Sequence, residues 1–266
     1  MEFVALYLTL GGTVGFLCGL LGIGGAIIVI PVLIEIYEAQ GMDSDLITHM
    51  AAGTSMAIMI CTSASSLLGH IRHKVQVFPI YRQLAVGIIL GTIAGSILSH
   101  FLSGDILKTL FGLFVLYVSF QMIFVRHVAV PGEEKLPGRK VTSLASFIIG
   151  ANSGILGIGC GSLVMTVLNC WRVPIRNIIA LSTACGLTVA ISGTISYMLL
   201  GTYQPDLPAY STGYVYWPAF LGTTLGALIS THLGTVASHK LHTNKLTRLL
   251  GIVLMAMAIH NLGLLK

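Results

Sequence analysis

The sequence is short of charge. Asp, Glu, Lys and Arg together number 23 in 266 residues, 9% of the chain, where a soluble domain carries roughly 25%. That is too little to cover a water-facing surface, and it excludes a soluble enzyme, a disordered chain and a conventional nucleic-acid binder. Catalytic motifs are missing too: there is no HExxH, GxSxG, P-loop or CxxC. Gly150-Ala-Asn-Ser153-Gly154 resembles a nucleophile turn only superficially, because its serine comes one place late. The five cysteines, Cys18, Cys61, Cys160, Cys170 and Cys185, are odd in number and lie in or beside apolar stretches. They read as small packing residues rather than as a metal or redox site. Neither a metal nor another cofactor is expected, and the chain is not expected to be an enzyme. Met1-Glu2-Phe3 lacks the positive start of a signal peptide, so the first apolar run is expected to stay in the mature protein.

What the sequence does have is hydrophobic length. Apolar residues make up 55% and the mean hydropathy is +0.91. Eight apolar runs cover about 3–34, 47–69, 83–102, 106–125, 141–170, 177–200, 214–234 and 248–265. About 20 helical residues cross the hydrocarbon of a bilayer, so six runs fit one crossing each. The first and fifth are too long for one crossing and too short for two. Each has glycines at its middle, Gly22-Ile23-Gly24-Gly25 and Gly157-Ile158-Gly159-Cys160-Gly161, and glycine is where a helix breaks most easily. Both are expected to be broken or re-entrant hairpins.

The two long runs are also a repeat. Gly15, Gly19, Leu21, Gly22, Ile23 and Gly24 align with Gly150, Gly154, Leu156, Gly157, Ile158 and Gly159. Ala51-Ala-Gly-Thr54 resembles Ala180-Leu-Ser-Thr183, and Gly91-Thr92 echoes Gly222-Thr223. The chain therefore divides into a first membrane repeat, 1–125, a polar cytoplasmic linker, 126–140, and a second membrane repeat, 141–266. If both long runs turn back, 12 of the 14 Lys and Arg fall on one side. Glu2, Glu35, Glu38, Asp43, Asp45, Asp105 and Asp206 then fall on the other. The positive-inside rule makes the basic side cytoplasmic. A hairpin plus three spans is an odd number of crossings, so the halves would be inverted, as in many secondary transporters. The expected fold is an all-α integral membrane protein of two inverted repeats, each a re-entrant or broken helical hairpin plus three transmembrane helices.

Backbone broken at membrane depth must be buried or line a cavity. Helix starts at such breaks present free N–H groups that favour anions. The candidate substrate-binding residues are therefore Gly22, Gly24 and Gly25 with Gly157, Gly159 and Gly161. Thr54, Ser55, Ser182 and Thr183 in the following spans, and Asn152 and Ser153 one turn before the second glycine cluster, could add uncharged donors. Close packing is the competing role for the glycines, as for Gly11-Gly15-Gly19 and Gly87-Gly91-Gly95. For the hydroxyls it is bonding to their own helix. No Asp, Glu, Lys or Arg lies deep in an apolar run, which argues against a carboxylate proton relay. His49, His70, His100, His232 and His260 fall at or near span ends, where an interfacial role is expected over a proton relay.

The duplicated Gly-xxx-Gly-xx-Gly-Ile-Gly and the Ala-xx-Thr of the next span resemble the TauE/SafE family of membrane permeases, also called sulfite exporters. The likeness runs through both halves. It implies a multi-pass transporter of the cell inner membrane that exports sulfite or a C2 organosulfonate by alternating access around a midplane anion site. The partners expected are a small anion and the bilayer, not nucleic acid, and the Gly-xxx-Gly faces could serve a homodimer. Two alternatives are a permease for thiosulfate or a carboxylate and a passive anion channel. The second half departs from the first at Cys160 in place of Gly25, Thr166 in place of Pro31 and Ala184 in place of Ser55.

Overall fold

A computed structural model describes residues 2–21, 26–71, 78–124, 137–205, 207–238 and 251–259. The first long run is two helices, α1 (Glu2–Leu21) and α2 (Ala26–Ala39), and the glycines between them, 22–25, lie outside the described residues. The fifth run is also two helices, α6 (Arg139–Leu156) and α7 (Gly161–Cys170). The remaining long helices are α3 (Ser44–Ile71), α4 (Phe78–Phe101), α5 (Gly104–Phe124), α8 (Ile175–Gly201) and α9 (Trp217–Ser238); residues 251–259 are helical as well. Much of the linker 126–140 is outside the described residues, and its last two residues already belong to α6. Stretches of α3, α4, α5 and α8 are long and apolar enough to cross a bilayer. The fold is that of an all-α, multi-pass membrane protein.

One element departs from the expected helices. The seventh run does not begin as helix at 214. Strands β1 (Ser211–Thr212) and β2 (Val215–Tyr216) pair antiparallel, Ser211 with Tyr216 and Thr212 with Val215, ahead of α9. Gly213 turns this hairpin with φ +56, in the left-handed region that glycine enters freely. Strands of two residues carry too short an alternation to be read from sequence.

Glycine decides how the helices meet. α4 and α6 run parallel with backbones in contact. A Cβ on Gly91 would collide with the Phe147 carbonyl, and one on Gly150 would stand 3.0 Å from the Ile88 Cα. α1 and α9 repeat the arrangement, Gly11 against Thr223, Gly15 against Ala227, Gly222 against Tyr7. Small residues let helices approach closely where lipid offers no hydrophobic drive to associate. Under exchange of the two halves, α1 with α9 corresponds to α6 with α4, and α2 on α3 corresponds to α7 on α8. α3 and α8 pack on each other at the centre. α4 and α5 turn outward Val86, Leu90, Leu98, Leu113, Phe120 and Phe124, an apolar surface suited to lipid.

Contacts at the helix ends show where the broken pairs open. Gln40, just past α2, donates to the Tyr7 hydroxyl near the start of α1 at 2.8 Å. Glu38 in the last turn of α2 pairs with Lys108 in the first turns of α5 at 2.9 Å. Both ends of the α1–α2 unit thus lie at the N-terminal end of α5. The α6–α7 unit opens at the other end of α5. Thr166 of α7 accepts from Gln121, near the α5 C-terminus, at 3.0 Å. The start of α6 lies along the first half of α4, where a Cβ on Gly87 would meet Ser143 and Ser146.

Candidate functional site

The break between α6 and α7 is built by short-range geometry. Gly157 caps α6 in the left-handed conformation, φ 69 and ψ 19, and its N–H returns to the Ser153 carbonyl. The Ile158 N–H reaches the same oxygen at 3.3 Å. This double return ends the helix and satisfies one of its last carbonyls. A side chain at Gly157 would be strained by φ and would strike Ala52 of α3. Cys160 precedes α7, and its side chain makes no capping bond. The Val164 N–H bonds back to the Cys160 carbonyl at 2.8 Å. The N–H groups of Gly161, Ser162 and Leu163, ahead of it in the first turn, have no carbonyl within the helix to bond.

Other helices hold the break in place. The Ser55 hydroxyl on α3 lies 2.7 Å from the Gly157 carbonyl and 2.9 Å from its own Ala52 carbonyl. With a single proton it donates to one at a time. The Tyr197 hydroxyl on α8 lies 3.0 Å from the Gly154 carbonyl, 3.2 Å from that of Ile155 and 3.0 Å from the Ser99 Oγ. Gly154 and Ile155 are in the last turn of α6, where carbonyls lose their helical partners. Tyr197 is therefore a supporting residue that sequence reasoning missed. A cue existed: Tyr197 falls within the sixth apolar run, near its end, and a tyrosine hydroxyl buried there needs a partner.

One face of α3 lies against the α6–α7 break and the start of α2. Met59 lies beside Gly159, where a Cβ would stand 2.7 Å from its sulfur. Ser55, Ile58, Met59 and Thr62 also line a narrow crevice with Val14, Ala26 and Val29. Ala26 is the first residue of α2, so the same α3 face meets both the α6–α7 break and the start of α2. Gly22, Gly24 and Gly25 themselves lie outside the described residues. Ser182 on α8 neighbours Gly161, 3.8 Å from where its Cβ would be.

The expected polar residues divide into two groups. Asn152, Ser153, Ser162 and Ser182 stand near the break on α6, α7 and α8; the Asn152 Oδ1, Ser153 Oγ and Ser162 Oγ are buried and unpaired. Ser162 was not anticipated from sequence, although its place one residue past Gly161 could have marked it. Thr54 and Thr183 have other occupations. The Thr54 oxygen accepts from the Tyr37 hydroxyl at 3.3 Å and from the Tyr216 N–H at 3.1 Å, tying the β1–β2 hairpin to α3. Thr183 donates to its own Ile179 carbonyl at 2.9 Å. Among the described residues no three of His, Cys, Asp and Glu gather as metal ligands would.

The break thus brings the first-turn N–H groups of α7 together with neutral hydroxyls. A family model described as "Sulfite exporter TauE/SafE" matches residues 7–261. A probable membrane transporter protein of Haemophilus influenzae is 30% identical over 262 residues, covering 97% of each chain. One of Methanocaldococcus jannaschii is 28% identical, covering 96% of this chain and 93% of its own. One of Xylella fastidiosa is 29% identical, covering 94% and 91%. No solved structure gives a significant match. With a family match over nearly its whole length, this chain belongs to the TauE/SafE sulfite exporter family of membrane transporters.

Proposed function

We propose that the protein is a secondary transporter of the cell inner membrane that exports a small sulfur-containing anion, sulfite or a C2 organosulfonate. The observation that carries this reading is the start of α7, uncapped, with Ser162 in its first turn and Ser182 beside Gly161. Sulfite and a sulfonate share a pyramid of three oxygens on one sulfur. Amides of a helix start and neighbouring hydroxyls can address all three. Without a lysine or arginine in the shell, the anion is held weakly enough to leave. Gly22, Gly24 and Gly25 would supply the opposing half of the site, reached through the α3 face that carries Ser55. Thr54 and Thr183 would act on the site through packing, since their hydroxyls are engaged elsewhere.

Alternating access follows from an inverted repeat. Its support is the exchange symmetry of the helix contacts and the opening of the two broken pairs toward opposite ends of α5. Rocking one half against the other would then expose the site to each face in turn. A negative-inside potential favours anion exit by about 2.3 kcal/mol per charge per 100 mV.

The test is labelled-sulfite counterflow in proteoliposomes preloaded with unlabelled sulfite, sulfoacetate, thiosulfate, sulfate or acetate. Uptake driven by sulfite and sulfoacetate above the others is expected. Absence of exchange in folded protein, or acetate driving uptake as well as sulfite, would overturn the assignment.

A further inference from the structure

His49, in the second turn of α3, is 4% exposed, yet both of its ring nitrogens face carbonyl oxygens. Nδ1 lies 3.2 Å from the Asp45 carbonyl, and Nε2 lies 2.9 Å from the Ser99 carbonyl at the end of α4. A neutral imidazole has one N–H and one lone pair. In either neutral tautomer, one nitrogen turns its lone pair toward a carbonyl oxygen and one bond is left unmade, the buried one to Ser99 or the part-buried one to Asp45. Only the imidazolium donates to both.

The ring face is covered by Tyr214, from the turn between β1 and β2, with centroids 5.2 Å apart and planes at 28°. An aromatic face attracts a cation. The other titratable groups around this contact are few. His100 on α4 has its Nδ1 3.0 Å from the Tyr214 hydroxyl. Tyr197 on α8 stands edge-on to Tyr214 at 6.1 Å and reaches Ser99. On the α3 side are Asp45, whose exposed residue offers His49 its carbonyl, and Asp43, which accepts the Asp45 N–H. Among the described residues the one ion pair is Lys108 with Glu38, and none of their carboxylates pairs with His49.

We propose that His49 is a proton-binding site whose occupancy docks the β1–β2 hairpin onto the ends of α3 and α4. The neutral ring with its proton on Nε2 keeps the bond to Ser99 that ties α3 to α4; the bound proton adds the Nδ1–H bond to Asp45 within α3 and offers Tyr214 a cation. The remaining ties of the hairpin are the Tyr216 N–H to Thr54 and the Tyr214 N–H to the Tyr197 carbonyl at 3.2 Å. Loss of the proton leaves one bond unmade and the stack uncharged, and the hairpin loosens. Acid on this side therefore closes the hairpin, and alkali frees it. His49 is not part of the α6–α7 break, and its proton binding does not depend on which anion is carried.

Two readings on the full chain in lipid nanodiscs test it without transport. The first is a nitrogen-15 titration of the histidine rings between about pH 5 and pH 8, the range where histidine changes charge. The His49 signal is assigned by its absence in His49→Gln or by its ring contacts with Tyr214. The second is hydrogen exchange at the Tyr214 and Tyr216 amides, each compared with His49→Gln at the same pH. The expected result is a His49 ring protonated on both nitrogens in acid that loses one proton as pH rises. Protection of the two amides should fall about fivefold over the same range, as expected when a cation is lost from the Tyr214 ring face. The fall should persist in His100→Gln and vanish in His49→Gln. A ring whose protonation does not change, neutral or charged, overturns the proposal. So does an equal response of wild type and His49→Gln. If His49→Gln fails to fold, the wild-type titration decides alone.

Discussion

α3 and α8 pack on each other, yet they carry different polar duties. Both are central and largely buried, and both bear the Ala-xx-Thr pattern. In α3, Thr54 binds the hairpin and Ser55 reaches across to the Gly157 carbonyl. In α8, Thr183 turns back to its own helix, and Ala184 replaces the serine. α8 supports the break with Tyr197 instead, from the far end of the helix. Both central helices thus hold the second break. The short second arms differ likewise. α2 carries Pro31 inside the helix, where it removes an internal hydrogen bond. α7 has Thr166 there, accepting from Gln121. What α2–α3 and α7–α8 share is packing; their hydrogen bonds differ.

The largest effect that would sharpen this contrast lies in glycine. A Cβ on Gly53 of α3 would stand 2.8 Å from the Tyr214 carbonyl oxygen, whereas on Gly186 of α8 it would meet only Ser63 Oγ at 3.7 Å. Gly53→Leu should cost about 3 kcal/mol or more by overpacking against backbone. Gly186→Ala should change stability by less than about 0.5 kcal/mol. Thermal unfolding in detergent measures both, and equal losses would erase the distinction between the helices.

Next come the two hydroxyls on the break. Tyr197→Phe and Ser55→Ala should each lose about 1–3 kcal/mol, the cost of leaving buried carbonyls unpaired. Ser55→Ala should also slow anion exchange about tenfold, equivalent to ~1.4 kcal/mol on the barrier. Ala184→Ser should be near neutral, with its new hydroxyl returning to its own helix as Thr183 does. Loss on Ser55→Ala that Ala184→Ser restores would mean that the halves are interchangeable after all. A smaller effect separates the threonines. Thr54→Val strips the Tyr216 N–H of its acceptor and should cost about 1 kcal/mol, loosening the hairpin in hydrogen exchange. The smallest change is expected for Thr183→Val, within about 0.5 kcal/mol, because only an intrahelical bond is removed. A strong transport defect in Thr183→Val would return that hydroxyl to the anion site.

Hydropathy and glycine spacing made the spans, the break at Gly157–Cys160 and the close helix pairs readable in the sequence. Each depends on residues within a turn or two of one another. Gly87, Gly91 and Gly95 were singled out as a packing face, and they lie against α6. The β1–β2 hairpin was not legible, since its strands are two residues long and its anchor, Thr54, is 162 residues from Tyr216. Tyr197 and Ser55 were hidden in a related way. Their bonds cross 43 and 102 residues of chain, and nothing local distinguishes a hydroxyl that crosses to another helix from one that turns back. For that reason Thr54 and Thr183, alike in sequence, were given one role and have two sets of bonds.

The claim that joins fold to function is that the two broken pairs enter from opposite faces. It is tested most directly by single-cysteine labelling in intact, oriented vesicles with a membrane-impermeant maleimide. One variant keeps only Cys170, exposed at the end of α7; the other has only Ala39→Cys, exposed at the end of α2. Labelling of the two from opposite faces is expected, with Cys170 on the cytoplasmic side. Labelling of both from the same face would contradict the inverted arrangement, and with it alternating access around a site between the halves.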